Sequence, residues 1–387
     1  MTPLSSLVDD GLLRLVFRGG LPVVVKTRGE TVLSLRVDLR GRYQGVEEGL
    51  ESVPLFAALG FLRNSTGPYA LSHVVAYVES VEELLMVPVS FHTQLLRIIL
   101  CEGERIEAHL STLGRMAQCV GILPLFSYVY RFRQRAIKLA ERLWGTGRLV
   151  DVVTIGGFRY VLPNEFVSLW VDFWLQEVPP LLNLLETVFL QNPIFKGRTV
   201  GLGILSSEDV VEMGLSGSNA RASGFSFDAR CFGVNASLYG ELGAKPLVAS
   251  RGDVWARMQL RFEETRQSLA IMQAGEKAFP KTVGSDEKVA LNLVGEPYPL
   301  KDDPSSLEKV EREVYPIRRC SRYVESPNGE FAVFAVGDGQ RRLQRCHILA
   351  PSFKALQAFE RLCAGQNITD LEILLRSLDI RVGEMRR

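Results

Sequence analysis

Cysteine and histidine patterns that hold metal ions are absent from this sequence. Its six cysteines are scattered without a C-x-x-C pair, and no two of its four histidines stand at i, i+4 spacing. Structural zinc sites and iron–sulfur clusters need such ligands close together. The sequence therefore predicts that the chain holds no metal ion, and the scattered thiols favour reduced cysteines over a disulfide framework.

An excess of charge of one sign is also lacking. Lysine and arginine number 45 against 44 aspartates and glutamates, which leaves a net charge of +1. Proteins that bind nucleic acid through its phosphates carry a strong positive field, so the sequence predicts no nucleic-acid partner. Hydrophobic residues make up 47% and charged residues 23% of the chain, which is ordinary for a globular protein.

No uninterrupted apolar run is long enough to cross a membrane. The most apolar stretch, residues 166–195, contains Asp172, Glu177 and the pair Pro179-Pro180. A spanning helix needs about 20 consecutive apolar residues, so a role at a membrane would be a peripheral one. Residues 1–10 show neither the basic nor the apolar part of a secretory signal.

Hydrophobic patterning predicts an α+β fold in four parts. Short runs rich in valine and leucine, separated by glycine turns, predict the first strands: Leu12–Phe17, Val23–Lys26 and Val32–Val37. Helical spacing of apolar residues predicts a bundle in the middle of the chain. We therefore expect an N-terminal β-rich part at 1–74, a helical bundle at 75–278, a polar, proline-rich surface connection at 279–316, and a C-terminal part at 317–387.

Within these parts, proline and glycine mark the ends of several elements. Pro163 precedes a predicted helix, and Leu181–Leu190 is expected to form another. Asp338-Gly339 separates two strand-like runs and predicts a β-hairpin, with Pro351 opening a last helix. The two tryptophans Trp170 and Trp174 are more typical of a core than of a cofactor-binding pair.

One helix carries charged residues at regular spacing. Glu102, Arg105 and His109 are separated by three, four and seven positions, which puts all three on one helix face. If that face is buried, the stripe must be paired, and it could relay protons or tune a nearby site. A solvated face is the alternative that the spacing leaves open.

A glycine-rich segment and a charged helix follow further along. Gly214-Leu-Ser-Gly-Ser-Asn-Ala-Arg-Ala-Ser-Gly224 lacks the ending of a phosphate-binding P-loop and the pattern of a dinucleotide turn, so it favours a packed structural turn. The charges after Arg251-Gly-Asp253 give i, i+4 pairs that are typical of an exposed helix face: Arg257, Arg261, Glu263, Glu264 and Arg266.

Taken in order, these segments resemble one family, the quinone-site subunit of respiratory complex I. The resemblance rests on Glu102-x-x-Arg-Ile-x-x-His-Leu110, on Gly201-x-Gly-x-Leu-Ser and the glycine-rich block with Asp228-Ala-Arg230, and on Arg251-Gly-Asp253. It continues through Glu325-x-Pro-x-Gly-Glu330, Arg345-Cys-x-Ile-x-Ala-Pro-Ser-Phe353 and Asp379-Ile-Arg-Val-Gly-Glu384. The family descends from nickel–iron hydrogenase large subunits.

The resemblance implies a fold and a role. The expected fold is like that of the hydrogenase large subunit, with an N-terminal β part, a central helical bundle and a C-terminal hairpin and helix. The expected role is to form the pocket where ubiquinone is reduced, together with the subunit that carries the terminal iron–sulfur cluster. No cofactor is expected on this chain itself, because the flavin (FMN) and the clusters lie on other subunits. Hydrogenase activity is excluded, because the chain has no cysteine before Cys101 or after Cys363 to hold nickel and iron.

Several positions depart from what the resemblance implies for the quinone pocket. The pocket positions are Asp10, Gly11, Phe61, Cys119 and Val382. The family has histidine where Asp10 stands, tyrosine at Phe61 and aspartate at Cys119. A cluster-facing arginine of the family is replaced by Gln44. These departures leave two interpretations: an active quinone-reducing, proton-pumping subunit, or a scaffold subunit with a degenerate quinone site. Tyr43 and Tyr69 are the nearest hydroxyl donors in sequence.

The resemblance also implies partners and a location. Apart from the cluster subunit, we expect a contact with the membrane-arm subunit through which quinone enters. The expected location is the matrix-facing peripheral arm at the mitochondrial inner membrane, with the cytoplasmic face of a bacterial membrane as the alternative.

Overall fold

The computed structural model shows the α+β fold that the sequence predicts. It describes residues 11–17, 20–40, 43–65, 67, 69–160, 165–279, 318–339 and 342–385. The predicted connection at 279–316 lies, apart from Phe279, outside the described residues, and so does Asp10. In the described part of the chain, none of the helices is both long and apolar enough to span a membrane.

The described chain begins with a three-stranded antiparallel sheet. Its strands are β1 (Leu12–Phe17), β2 (Leu21–Arg28) and β3 (Thr31–Val37), paired in sequence order. Alternate residues of β2 are buried, as expected for a sheet with one packed face. The three predicted strands are therefore confirmed, and Gly29 makes the tight turn between β2 and β3 with φ of 60°.

Helices dominate the middle of the chain. The first five are α1 (Val46–Ser52), α2 (Leu55–Ser65), α3 (Leu71–Leu85), α4 (Phe91–Cys119) and α5 (Leu123–Trp144). A small hairpin, β4 (Val153–Thr154) and β5 (Gly157–Phe158), precedes the next six. These are α6 (Phe166–Leu185), α7 (Pro193–Thr199), α8 (Ser207–Met213), α9 (Gly217–Arg221), α10 (Ala236–Glu241) and α11 (Val254–Ala278).

The long helices α4 and α11 pack along one another at the centre, with α5 and α6 beside them. Trp170 and Trp174 of α6 are fully buried, with ring centroids 5.3 Å apart, which confirms the prediction that they belong to the core. Gly103 of α4 faces both indoles, because a side chain there would lie 3.4 Å from Trp170.

The prediction of a separate helix at Leu181–Leu190 was wrong. Helix α6 continues through Pro179 and Pro180 to Leu185, and Glu186–Leu190 forms a π-helical turn after it. Proline removes a backbone donor from a helix, but the apolar face of α6 stays buried across the prolines, from Trp174 to Leu182. Tertiary packing therefore outweighs the local helix-breaking signal.

The C-terminal part is a second three-stranded sheet followed by helices. Strands β6 (Arg319–Ser326), β7 (Gly329–Gly337) and β8 (Leu343–Leu349) pair in sequence order. The predicted hairpin is β7–β8, and β6 extends it. Helices α12 (Pro351–Cys363) and α13 (Leu371–Ser377) complete the described chain, before a short 3-10 turn at Val382–Met385.

The N-terminal and C-terminal parts of the described chain pack against one another. Helix α12 packs on β3, where the Glu360 carboxylate accepts a hydrogen bond of 2.8 Å from the Val37 amide. Helix α1 packs on β8, and Glu47 and Glu51 accept the amides of Ile348 and Cys346 at 2.7 and 2.8 Å. These carboxylates satisfy backbone donors at the edge of the second sheet, which would otherwise be open.

Candidate functional site

The charged stripe of α4 points into the centre of the fold. Ser90 caps the start of α4, and the side chains of Glu102, Arg105 and His109 are all fully buried. Such burial is costly unless each charge is paired. The partners of the stripe come from the turn at 228–231, α10, α11 and β6.

Glu102 is the first centre of this network. Its carboxylate accepts hydrogen bonds from Arg230 Nη1 at 3.1 Å, Ser268 Oγ at 2.6 Å and Tyr239 Oη at 3.2 Å. Arg105 Nε lies 3.3 Å away on the same helix. Burial would raise the pKa of Glu102, but Arg105 and Arg230 outweigh it and hold the pKa below its ordinary value. Glu102 is therefore ionised at neutral pH.

Arg221 is the second centre, and it comes from the glycine-rich block. Its guanidinium donates to Glu264 at 2.8 Å and to Glu325 at 2.7 Å. Asp228 also lies near Arg221, and its carboxylate accepts two hydrogen bonds from Arg230, of 3.0 and 2.7 Å. Although burial opposes its charge, the surrounding carboxylates raise the pKa of Arg221. These residues form one network of alternating charges inside the protein.

His109 ends the α4 stripe against α11. Its Nε2 lies 2.9 Å from Glu264 Oε2, and burial lowers the pKa of His109 while Glu264 acts against that shift. Despite its burial, Glu264 has a pKa well below the ordinary value because Arg221 and His109 contact it. An ionised Glu264 thus lies in contact with a histidine whose neutral form burial favours.

The prediction that the charges of α11 form an exposed face was wrong for most of them. Arg257, Arg261 and Glu264 are fully buried, and only Glu263 and Arg266 pair at the surface. Arg257 donates to the carbonyls of Gly252 and Gly203 at 2.7 and 3.0 Å, and burial lowers its pKa to about 9. The i, i+4 spacing was correct, but nothing in one helix reveals that its charged face meets another charged face.

The glycine-rich block is a packed turn, as predicted, and its packing against the second sheet is close. Gly217 has φ of 67°, and a side chain there would lie 2.6 Å from Gly329 Cα. Gly329, at the start of β7, has φ of 143°, and a side chain on it would lie 2.7 Å from Ser216 Oγ. The crossing of two glycines positions Arg221 and Glu325 for their ion pair.

The closing segment joins the same interior. Asp379, which has a positive φ of 50°, accepts from Thr112 Oγ1 of α4 at 3.0 Å and from Arg381 at 3.1 Å. Glu384 accepts from Asn328 at 2.9 Å and lies 3.6 Å from His73 Nε2. Burial lowers the pKa of His73 to about 3, so this pair is held without a charged histidine.

Two positions implied by the resemblance, Gln44 and Phe61, lie beside α1. Gly45 and Gly49 are one helical turn apart, and Gly45 O accepts the Gly49 amide at 2.8 Å. A side chain at Gly49 would lie 3.0 Å from the Phe61 ring, and one at Gly45 would lie 3.9 Å from the Tyr43 ring. Phe61 is 44% exposed and Tyr43 66% exposed, with exposed Gln44 between Tyr43 and the helix. The start of α1 therefore has two exposed aromatic rings beside it, with the Glu48 carboxylate over Gly45.

The other pocket positions lie at the ends of their elements. Gly11 has φ of 71° and is tied to β2, because its carbonyl accepts the Thr27 amide at 2.9 Å. Cys119 is the last residue of α4, and Val382 opens the final 3-10 turn; both are partly buried against the core. Thr112 of α4 and Asp379 connect these two regions. Asp10 lies outside the described residues.

Tyr69, one of the two candidate hydroxyl donors, packs against charged side chains. It is buried, and the guanidinium carbons of Arg133 and Arg381 lie 5.9 and 5.2 Å from its ring centroid. Its pKa is raised by burial, with nearby Glu107 adding to that effect. Tyr69 is therefore part of the packed interior, whereas the Tyr43 side chain is exposed to solvent.

Two residues of the interior drew no attention in the sequence. Tyr239 and Glu79 lie in helices without a motif, and no spacing pattern relates them to Glu102. Among the described residues, no group of three or more His, Cys, Asp or Glu side chains is arranged to hold a metal ion.

Comparisons with known proteins agree with the resemblance. The sequence profile of the family described as "Respiratory-chain NADH dehydrogenase, 49 Kd subunit" matches residues 119–387. The D-type subunit of the NADH-quinone oxidoreductase of Trichlorobacter lovleyi is 31% identical over 385 residues, which cover 95% of this chain and 95% of that protein. The D-type NADH-quinone oxidoreductase subunit numbered 2 in Chloroflexus aurantiacus is 30% identical over 377 residues, covering 95% of this chain and 91% of that protein.

Proposed function

This chain belongs to the family of the 49 kDa, or D-type, subunit of respiratory NADH–quinone oxidoreductase, and we propose that it forms the quinone-reduction pocket of that complex. Other subunits of the complex are its partners. In this proposal the second wall of the pocket comes from the neighbour that bears the terminal iron–sulfur cluster. Electrons from NADH reach the quinone through the FMN and clusters of other subunits, and the energy released drives proton pumping.

The observation that carries the proposal is the pair of exposed aromatic rings beside α1, Tyr43 before it and Phe61 on α2. Large exposed apolar groups in a cluster mark surfaces that bind a partner or a ligand. Phe61 lies over Gly49, Tyr43 lies near Gly45 with the Glu48 carboxylate beside it, and both rings are exposed. A flat quinone ring can stack on an aromatic ring at such a face, while the neighbouring subunit covers the other side.

A scaffold role with a degenerate quinone site is the second candidate. It is favoured by the chemistry of Phe61, which has no hydroxyl to donate to a quinone carbonyl. The Tyr43 hydroxyl is hydrogen-bonded to Glu48, which raises the pKa of Tyr43. To serve the quinone, this hydroxyl would have to leave Glu48. We favour the quinone-reducing role because the Phe61 and Tyr43 rings are both exposed.

The same proposal implies where the quinone enters, which groups the chain binds and where the complex lies. The quinone would enter from the membrane-arm subunit, and the chain itself would bind no flavin, cluster or metal ion. The relatives named above are bacterial proteins. We therefore favour the cytoplasmic face of a bacterial membrane over the matrix face of the mitochondrial inner membrane.

Replacement of Phe61 tests the proposal. Loss of one stacking ring costs about 1 kcal/mol, so Phe61→Ala should lower kcat/KM for quinone about fivefold to tenfold in the assembled complex. NADH oxidation by ferricyanide, which takes electrons before the quinone site, should not change. The control is Ile194→Ala, which removes an even more exposed apolar side chain from α7. Equal quinone kinetics in Phe61→Ala and wild type would support the scaffold role instead.

A further inference from the structure

A small polar cavity lies beside the buried network. It has a volume of about 40 Å³ and lies between α3, α4, β6 and the segment that leads into α10. A buried water needs roughly 10–15 Å³ by the same measure, so two or three water molecules fit. Its lining includes Glu79, Asn235, Tyr239 and Arg230. The cavity is partly open, and the neighbouring Val234 is exposed.

Glu79 is the carboxyl group of this cavity. Its Oε1 accepts one hydrogen bond of 2.8 Å from Asn235 Nδ2. The nearby guanidiniums are committed elsewhere: Arg97 pairs with Glu82 through bonds of 2.8 and 2.6 Å, and Arg322 pairs with Glu83 at 2.8 Å. Among the described residues, none places a cation within ion-pair distance of Glu79.

The charges around Glu79 do not cancel the effect of its partial burial on its pKa. Arg97 from α4 and Arg322 from β6 favour its ionised form, whereas Glu82 on its own helix opposes it. Glu325 and Arg230 line the cavity but are paired with Arg221 and with Asp228 and Glu102. Burial is the largest effect, and it raises the pKa of Glu79. Glu79 therefore keeps a proton to higher pH than an exposed glutamate does.

Tyr239 joins the cavity to the network. Its ring lines the cavity, and its hydroxyl donates to Glu102 at 3.2 Å. Burial raises the pKa of Tyr239 well above its ordinary value, so the phenol stays protonated. A hydroxyl in this position can accept a proton from a cavity water while it donates its own to Glu102.

We propose that this cavity is where the subunit exchanges protons with solvent, with Glu79 as the proton-holding group and Tyr239 as its link to the buried network. The inference rests on the proposed quinone-reducing function. Reduction of a quinone to a quinol takes up two electrons and two protons. The electrons come from the cluster subunit, and the protons must come from solvent.

The transfer balances at each step. A hydronium ion from solvent protonates Glu79 through the cavity water, so one O–H bond forms on the carboxylate as another breaks on the hydronium ion, which becomes water. In the onward step Glu79 returns its proton through water to the Tyr239 oxygen, while the Tyr239 proton moves to Glu102. At rest Arg105 and Arg230 hold Glu102 ionised, so the proton stays on Glu79. The proton moves from Glu79 towards Glu102 when reduction of the quinone develops negative charge near the network.

The proton on Glu79 can be observed without any quinone chemistry. Infrared spectra of the assembled wild-type complex should contain a protonated-carboxyl band of Glu79 that persists to higher pH than the band of an exposed glutamate and disappears as the pH rises further. The band should be missing in Glu79→Gln and retained in the control Glu83→Gln, whose side chain lies at the surface one turn away. Rapid mixing with D₂O should shift the band promptly, because the cavity is open. Identical wild-type and Glu79→Gln spectra would overturn the assignment.

Quinone kinetics test the link to the network. Glu79→Gln and Tyr239→Phe should each lower the rate of NADH–quinone reduction by about tenfold or more and change its pH profile, with ferricyanide reduction unchanged. Tyr239→Phe should keep the carboxyl band, which shows that the cavity is intact. Wild-type rates and pH profiles in both variants would overturn the inference. A wild-type complex without quinone reduction would instead refute the proposed function, while the infrared result would still stand.

Discussion

Arg105 occupies the point where the charged face of α4 meets the second sheet. Its guanidinium contacts Glu102 and donates to the carbonyls of Glu325 and Ser326. Arg221 and Arg230 hold the neighbouring carboxylates in the same way. Because Glu102, Arg105, Arg221 and Arg230 are each paired with an opposite charge, the loss of any one of them leaves a partner uncompensated.

Arg105→Met tests that dependence. The substitution keeps the apolar stem but leaves two carbonyl groups and part of the Glu102 charge unpaired, so it should destabilise the folded subunit by about 3–5 kcal/mol. Arg135→Met is the control, because Arg135 pairs with Glu177 at the surface, where such pairs contribute about 1 kcal/mol or less. The measurement is thermal unfolding of the complex and the amount of subunit assembled into it. Equal effects of the two variants would contradict the account.

At the scale of elements, two contacts position the network. One is the packing of α4 along α11, and the other is the crossing of the turn before α9 with the turn that begins β7. Only residues without a side chain fit where Gly217 and Gly329 meet. This crossing brings residues that are 104 positions apart, Arg221 and Glu325, within 2.7 Å of one another.

Gly217→Ala should therefore cost more than backbone strain alone. Strain at a positive φ is about 1–2 kcal/mol, and the clash with Gly329 adds about 1–3 kcal/mol. Gly201→Ala is a matched control, because Gly201 also has a positive φ of 79° but open space around it. Thermal unfolding should show a loss for Gly217→Ala about twice that of Gly201→Ala. Equal losses would mean that the crossing relaxes without cost.

At the scale of the whole molecule, local patterns in the sequence predicted the helices and strands better than the contacts between them. Glycine turns and valine runs were sufficient for β1 to β3, and the three-four-seven spacing was sufficient to put Glu102, Arg105 and His109 on one face. The spacing could not show that the face is buried, because that depends on charges of α9, α11 and β6. The same limit explains why α11 was predicted to be exposed.

The surface of the candidate pocket was equally hidden from the sequence. Gln44 and Phe61 are 17 positions apart, and only the packing of α1 against α2 places their surroundings together. The helix-breaking signal of Pro179-Pro180 failed for the same physical reason, since burial of the apolar face outweighs a local preference.

Labelling with a photoreactive quinone tests the central claim most directly. The assembled complex would be irradiated with an azido-quinone, with and without an excess of unmodified quinone, and the labelled peptides of this chain would be mapped. Our account predicts label on the segment from Tyr43 to Phe61, removed by the competing quinone and reduced in Phe61→Ala. Label that is displaced by quinone but confined to other subunits would contradict the assignment of the pocket to this chain.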